Sequence, residues 1–304
     1  MIRFGLCCIF REAPIRFRRT TAKHLSTNPR PEQLRLLAEI IRHNAEALYQ
    51  ALAFCHANGI GDFRINSQIL PLKTHPHAGY VMEDLPDAKS LVDLFRRCGR
   101  FSRKHDIRTT FHPDQFIVLN SPSPDVVQRS LAELIYQAEV AEWVNADVIN
   151  LHGGGAYRDK PVALKRLVQA IEQLPAEVRG RITLENDDRV FTPADLLPVC
   201  RQTEVPLVYD LHHHRCLRDG LSVVDATRAA LATWRREPLF HLSSPQHRGP
   251  TGPCGPHHEF IDPADFPCEW RDLDITVEIE AKAKEVAILR LMRTLPGELQ
   301  QRCG

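Results

Sequence analysis

Residues 148–152 read Val-Ile-Asn-Leu-His, residues 182–185 Ile-Thr-Leu-Glu and residues 205–210 Val-Pro-Leu-Val-Tyr-Asp, and a stretch with helical apolar spacing follows each run. The runs are short, rich in β-branched and aliphatic residues, and apolar almost to the last position. That is the pattern of a strand covered on both faces, hence of a parallel sheet with helical crossovers. The intervening helical stretches are Val162–Gln173 and Pro193–Arg201, the second with Thr192 as N-cap. Each run closes on a polar side chain: His152, Glu185, Asp210.

The scheme extends outward in both directions. Upstream, strands are expected at Ile2–Leu6, Asp62–Asn66 and Thr109–His112, with helices at Pro31–Asn58, Leu91–His105 and Val126–Trp143. Downstream, a helix at Val223–Trp234 leads to strands at Leu239–Leu242 and Ile275–Glu280 and a helix at Ala283–Leu295. Eight strand-plus-connection units in 304 residues predict an α/β protein, a single (β/α)₈ TIM-type barrel over residues 1–295, with residues 296–304 as a C-terminal tail. A doubly wound open sheet is the alternative, and no Gly-rich nucleotide fingerprint follows any strand to support it. Phe10–Arg30 reads as a long, basic first βα loop.

Lys and Arg number 39 against 38 Asp and Glu, a net charge of +1, which argues against a DNA-coating protein but allows a local basic face. The nine cysteines form no C-x-x-C pair, so neither a disulfide framework nor a zinc ribbon is implied. A reducing, cytoplasmic setting is the simpler reading. Cys216 and Cys254 fall near the expected barrel mouth with no role assigned to them. The apolar start is too short for a secretory signal, and no stretch is long and apolar enough for a membrane span. A monomer without a membrane partner is expected.

The strand ends carry the chemistry. His112, His152, Glu185, Asp210 and Glu280 close strands, His241 lies within the seventh, and His212, His213 and His214 follow Asp210. The second strand leads to His75, and His257 and His258 precede the eighth. In a β/α barrel all C-terminal strand ends converge on one mouth. One histidine in a strand is usually a hydrogen-bonded structural residue, but independent structural histidines have no reason to gather at strand ends. Buried imidazoles and carboxylates at such density need compensation, which a cluster of two or three divalent metal ions supplies, with Glu185 as a bridging carboxylate.

The segments Phe63-Arg64-Ile65-Asn66-Ser67, Thr74-His75-Pro76, Phe111-His112-Pro113-Asp114-Gln115-Phe116, Leu151-His152-Gly153-Gly154-Gly155, Leu184-Glu185-Asn186-Asp187, Asp210-Leu211-His212-His213 and Glu280-Ala281-Lys282-Ala283-Lys284-Glu285 together resemble the UV damage endonuclease family, in the family's order along the chain. The resemblance implies a barrel related to apurinic endonuclease IV with up to three metals, Mn²⁺ foremost and Zn²⁺, Co²⁺ or Mg²⁺ as alternatives. It implies His112, His152, Glu185, Asp210, His213, His241, His258 and Glu280 as ligands, with His258 preferred to His257 on spacing. His75 would bind metal or shuttle a proton, and Glu185, His75 and Glu280 would be the catalytic set. Gln115 and Phe116 match a pair inserted into the duplex at the lesion. The chain departs from the family at Phe116, where a tyrosine is usual, at Leu239, where some members have a metal-bridging lysine, and at Leu6, where an aromatic probe stands and Phe10 is the nearby substitute.

The expected activity is therefore metal-dependent hydrolysis of the DNA backbone 5′ to UV photoproducts or other lesions, leaving a 3′-hydroxyl and a 5′-phosphate. Arg64, Lys73 and Arg11, with Arg16, Arg18, Arg19 and Lys23, are candidate phosphate contacts on damaged double-stranded DNA. Three alternatives stand beside this one: an abasic-site endonuclease without photoproduct activity, a metal-dependent sugar isomerase or epimerase on a similar barrel, and a non-catalytic binding protein on a decayed barrel, against which the nearly intact ligand set argues.

Overall fold

The computed structural model describes residues 2–247 and 254–303, with side chains to residue 295. Eight parallel strands close into a barrel in sequence order. They are β1 (Ile2–Cys7), β2 (Asp62–Ile65), β3 (Arg108–Phe111), β4 (Val148–His152), β5 (Ile182–Glu185), β6 (Leu207–Asp210), β7 (Leu239–Leu242) and β8 (Ile275–Ile279). The connections carry α1 (Ala22–Leu25), α2 (Arg30–Ala57), α3 (Ala88–Lys104), α4 (Pro124–Val144), α5 (Lys160–Glu172), α6 (Ala176–Arg179), α7 (Pro193–Thr203), α8 (Leu211–Cys216), α9 (Val223–Leu231) and α10 (Glu285–Cys303). The expected β/α barrel is the observed fold.

Alternation along the strands explains how a polar site sits inside an apolar frame. In β2, Phe63 and Ile65 face the helical layer, with Phe63 stacked against Phe10 and Phe17. Asp62 and Arg64, on the other face, are buried among interior carboxylates instead. The same period of two puts Glu278 and Glu280 on one side of the β8 strand line. Gly5 pairs in register with both Asp62 and Glu278, and a Cβ there would stand 2.3 Å from the Asp62 carboxylate. The first strand has glycine at that position because the interior carboxylates occupy the space.

Helix ends follow their local signals. Thr192 caps α7 by accepting from Asp195 N, and the Asp195 carboxylate accepts from Thr192 N, a reciprocal capping box. The expected tail was placed after Leu295, but the α10 backbone stays helical to Cys303. Three strand ends fall one residue early: β2 stops at Ile65, β3 at Phe111 and β8 at Ile279, so His112 and Glu280 stand just beyond the ladder. The run after Asp210 is the short helix α8, which spreads His212, His213 and His214 around its axis.

Candidate metal centre and active site

Ladder register brings the strand-end residues side by side. His152 pairs with Glu185 between β4 and β5, and Asp210 with His241 between β6 and β7. Glu185 is the hub. Its carboxylate lies 3.0 Å from His112 Nε2, 3.2 Å from His213 Nδ1 and 3.3 Å from His241 Nδ1. Asp210 Oδ2 is 3.5 Å from His213 Nδ1, and Glu280 Oε1 is 3.6 Å from His241 Nδ1. Three intersecting groups have donor atoms mutually within 4.8 Å: His112, His152 and Glu185; His112, His241 and Glu280; Glu185, Asp210 and His213.

Neighbouring side chains hold these groups in place. Asn150 Nδ2 donates to Glu185 Oε2 at 2.5 Å, and Thr183 in turn donates to Asn150 Oδ1 at 2.9 Å. Asn186 clamps the backbone of Asp210 from both sides, at 2.8 and 3.0 Å. The Asp210 carboxylate caps α8 by accepting from His213 N at 2.7 Å, which fixes the ring of His213 beside it. His241 turns Nδ1 to the cluster and Nε2 to Glu278, 3.0 Å away. Glu278 is held by Thr110 at 2.5 Å and Arg64 at 3.2 Å. A carboxylate behind a histidine fixes tautomer and orientation for coordination.

Electrostatics fit cation binding. Burial alone would raise the Glu185 carboxyl, but His241, His152 and His112 more than offset it and hold it well below the usual carboxylate range. Burial likewise opposes charge on Glu278 and Glu280, yet Arg64 and His241 keep both low, Glu278 at about 2. Burial lowers His152. Burial would also lower His213 and His241, but Asp210 and Glu185 around the first, and Glu185 with Glu278 around the second, raise both well above the ordinary imidazole value. The anionic cluster thus draws positive charge from its own imidazoles.

Five buried atoms of these residues have no hydrogen-bond partner: Glu185 Oε1, Asp210 Oδ2 and His241 Nδ1 within the cluster, and the Nδ1 atoms of His112 and His152. Orphaned buried polar atoms cost about 1–3 kcal/mol each, so native proteins rarely collect them without a ligand. Imidazole nitrogens and carboxylate oxygens are the donor set of Zn²⁺ and Mn²⁺ sites. The residues present therefore fit a divalent-metal cluster.

Most of the expected ligands converge, and two do not. His258 is exposed, its Nδ1 accepting from Phe260 N at 3.1 Å, whereas His257 has Nδ1 3.6 Å from Glu280 and its ring beside those of His212 and His213. His257 is the histidine at the mouth. His75 lies outside the three groups; its Nδ1 accepts from His77 N and Ala78 N at 3.2 and 3.1 Å, and it lines a neighbouring cavity.

The expected DNA contacts divide in the same way. Gln115 and Phe116 are exposed, Phe116 at 75%. Arg64 is buried, with Nη2 2.5 Å from Glu280, so its surroundings are carboxylates rather than solvent. Phe10 is buried against Phe54 and Phe63 as a core residue. Lys73 donates to Tyr80 O at 3.1 Å and is largely covered, and Arg11 pairs with Glu259 on the surface. The cysteine reading is corrected too: Cys216 at the end of α8 and Cys254 are disulfide-bonded, tying α8 to the segment that carries His257. The reducing-compartment argument from cysteine spacing therefore does not hold. Among the described residues no helix is long and apolar enough to cross a membrane.

Comparison with known proteins agrees with this geometry. The family described as UV-endonuclease UvdE matches residues 2–303. A UV DNA damage endonuclease of Bacillus velezensis is 32% identical over 97% of this chain and 94% of its own length, and one of Bacillus cereus is 29% identical over 91% and 87%. The crystal structure of SacUVDE superposes with a TM-score of 0.86 at 26% identity, covering 98% of this chain and 99% of that one. Endonuclease IV from Thermus thermophilus, with a TM-score of 0.61 at 15% identity over 98% and 99% of the two chains, shares the fold. This chain belongs to the UV-endonuclease UvdE family.

Proposed function

We propose that the chain is a divalent-metal-dependent phosphodiesterase, acting as a monomer on one barrel domain, that cuts damaged duplex DNA on the 5′ side of the lesion and leaves a 3′-hydroxyl and a 5′-phosphate. The observation that carries this reading is the convergence of His112, His213 and His241 on the buried Glu185 carboxylate, within three intersecting groups of metal-donor atoms. His112, His152, Glu185, Asp210, His213, His241 and Glu280 would hold two or three ions, with His257 at the rim, and Mn²⁺ is the proposed metal. Bound divalent ions supply a water nucleophile at neutral pH and charge stabilisation for a phosphate.

The chain's own residues do the rest. Asn150 and Asn186 set the directions of Glu185 and of the Asp210 segment, so the anionic hub is fixed before substrate arrives. Exposed Gln115 borders the cluster's cavity and exposed Phe116 lines the neighbouring one, where a duplex would meet them. Phe116 offers a stacking face to a base displaced from its partner, and damaged duplex is cheaper to unstack than intact DNA. The proposed substrate also carries the cytoplasmic assignment, which no cysteine argument now supports.

The test is nicking of UV-irradiated plasmid with Mn²⁺, with and without chelator, in wild type and Glu185→Gln. Chelator-sensitive nicking that Glu185→Gln abolishes is expected. Full activity of Glu185→Gln with Mn²⁺ would reject the mechanism.

A further inference from the structure

Among the described residues, two aromatic side chains are exposed: Phe116 at 75% and Tyr157 at 40%. They come from different loops, after β3 and after β4, yet both line one cavity of about 1000 Å³. Gln115 and Val118 border this cavity and also the cavity of about 410 Å³ over the metal-ligand cluster, so the two adjoin. Exposed aromatic rings are costly in water and are the usual platforms for unpaired bases.

The Tyr157 ring sits on a built seat. It packs directly on the bare Gly155, where a Cβ would stand 3.0 Å from the ring. Buried Asn120 holds Gly155 from both sides, donating to its carbonyl at 2.9 Å and accepting from its N–H at 3.2 Å. Gly154, at φ +87°, has no room for a Cβ because Asn120 Oδ1 would be 2.2 Å away. Arg166 binds the Asn120 carbonyl at 2.9 Å and puts its guanidinium 5.6 Å from the ring centre. Tyr157 and Arg158 both have left-handed backbones, at φ +49° and +71°. Two consecutive non-glycine residues in that region are strained, and strain of this kind collects where a side chain must be aimed. In the first loop, Phe10 is buried in the core and Phe17 is stacked on Phe63.

We propose that Tyr157 is a specificity-determining residue, a second stacking platform that, with Phe116, grips an unstacked nucleobase of the damaged duplex beside the metal centre. The inference rests on the endonuclease reading above and adds a residue to it. The ring acts by its face and not by its hydroxyl, so phenylalanine serves as well as tyrosine.

The test compares Tyr157→Asn and Tyr157→Phe in Mn²⁺-loaded protein; asparagine tolerates the left-handed backbone, so the loop is kept. The probe is a duplex with one UV photoproduct, 2-aminopurine beside it, and a phosphorothioate at the linkage 5′ of the lesion to resist cutting. Tyr157→Asn should bind damaged duplex roughly tenfold to a hundredfold more weakly, the range for loss of one base–aromatic stack, with unchanged affinity for undamaged duplex and unchanged Tm. Stacking by Tyr157 should quench the 2-aminopurine, Tyr157→Asn should lose that quenching, and Tyr157→Phe should match wild type. The inference falls if Tyr157→Asn binds and quenches like wild type, if Tyr157→Phe loses as much as Tyr157→Asn, or if affinity for undamaged duplex drops equally. If the wild type itself has no preference for damaged duplex, the endonuclease reading fails with it; if the wild type prefers damage and Tyr157→Asn does equally, this inference alone is wrong.

Discussion

Replacing Arg64 by methionine separates two accounts of that residue. The sequence suggests a phosphate contact, whereas the structure buries Arg64 between Glu278, 3.2 Å away, and Glu280, 2.5 Å away. Removing one partner of a buried ion pair costs about 3–5 kcal/mol, because the remaining charge is left without compensation. Here the lower end applies, since Glu278 keeps His241 and Thr110 while Glu280 keeps His241 and His257. For a chain of 304 residues the unfolding entropy is roughly 0.6 kcal/mol/K, so a loss of about 3 kcal/mol lowers Tm by about 5 °C. Divalent metal should return part of that loss, because Glu280 gains a second cation. The assay is thermal unfolding of wild type and Arg64→Met, with chelator and with Mn²⁺, and DNA binding over a salt series. A Tm within 1 °C of wild type in chelator, joined to a salt-dependence slope reduced by about one phosphate contact, would refute the buried-pair account and restore the phosphate one.

Further outcomes follow from the same geometry. His257→Ala should weaken metal binding roughly tenfold or more and His258→Ala leave it within about threefold, by titration with Mn²⁺, since only His257 faces Glu280; the reverse order would return the ligand role to His258. In chelated protein, the raised His213 and His241 contribute stability that is fully present below pH 6.5 and lost as pH rises through their folded values. The depressed Glu185, Glu278 and Glu280 contribute stability present above pH 4.5 and lost as pH falls through theirs. Tm in chelator should therefore fall from pH 6.5 toward pH 9, while Mn²⁺ affinity rises over the same alkaline range as the imidazoles lose protons. A chelated Tm that climbs from pH 6.5 to 9 would contradict this ordering.

The barrel and seven of the side chains that meet at its mouth are legible because both depend on strand position. A continuous apolar run ending in His, Glu or Asp states where the strand is and which face of the barrel its last side chain joins. Glu278 was missed although the signal was there: in Ile275-Thr-Val-Glu-Ile-Glu280 the period of two that sends Glu280 inward does the same for Glu278. The alternation in Asp62-Phe-Arg-Ile65 equally marks Arg64 as an interior residue. His257 and His258 are a different matter. They are adjacent in a loop without periodicity, so only tertiary position decides which one faces the site. The Cys216–Cys254 bond joins residues 38 apart through loop conformation, and no spacing rule foretells it. Tyr157 had no strand-end or spacing signal; its role emerges only from exposure, backbone strain and the cavity it shares with Phe116.

Anomalous diffraction from crystals grown with Mn²⁺ tests the metal centre most directly. Peaks are predicted within ligand distance of the three intersecting groups around Glu185: one beside His112 and His152, one beside Asp210 and His213, and, at full occupancy, one beside His241 and Glu280. Mn²⁺ bound only elsewhere on the protein, with Glu185 and its histidines left to one another, would contradict the account.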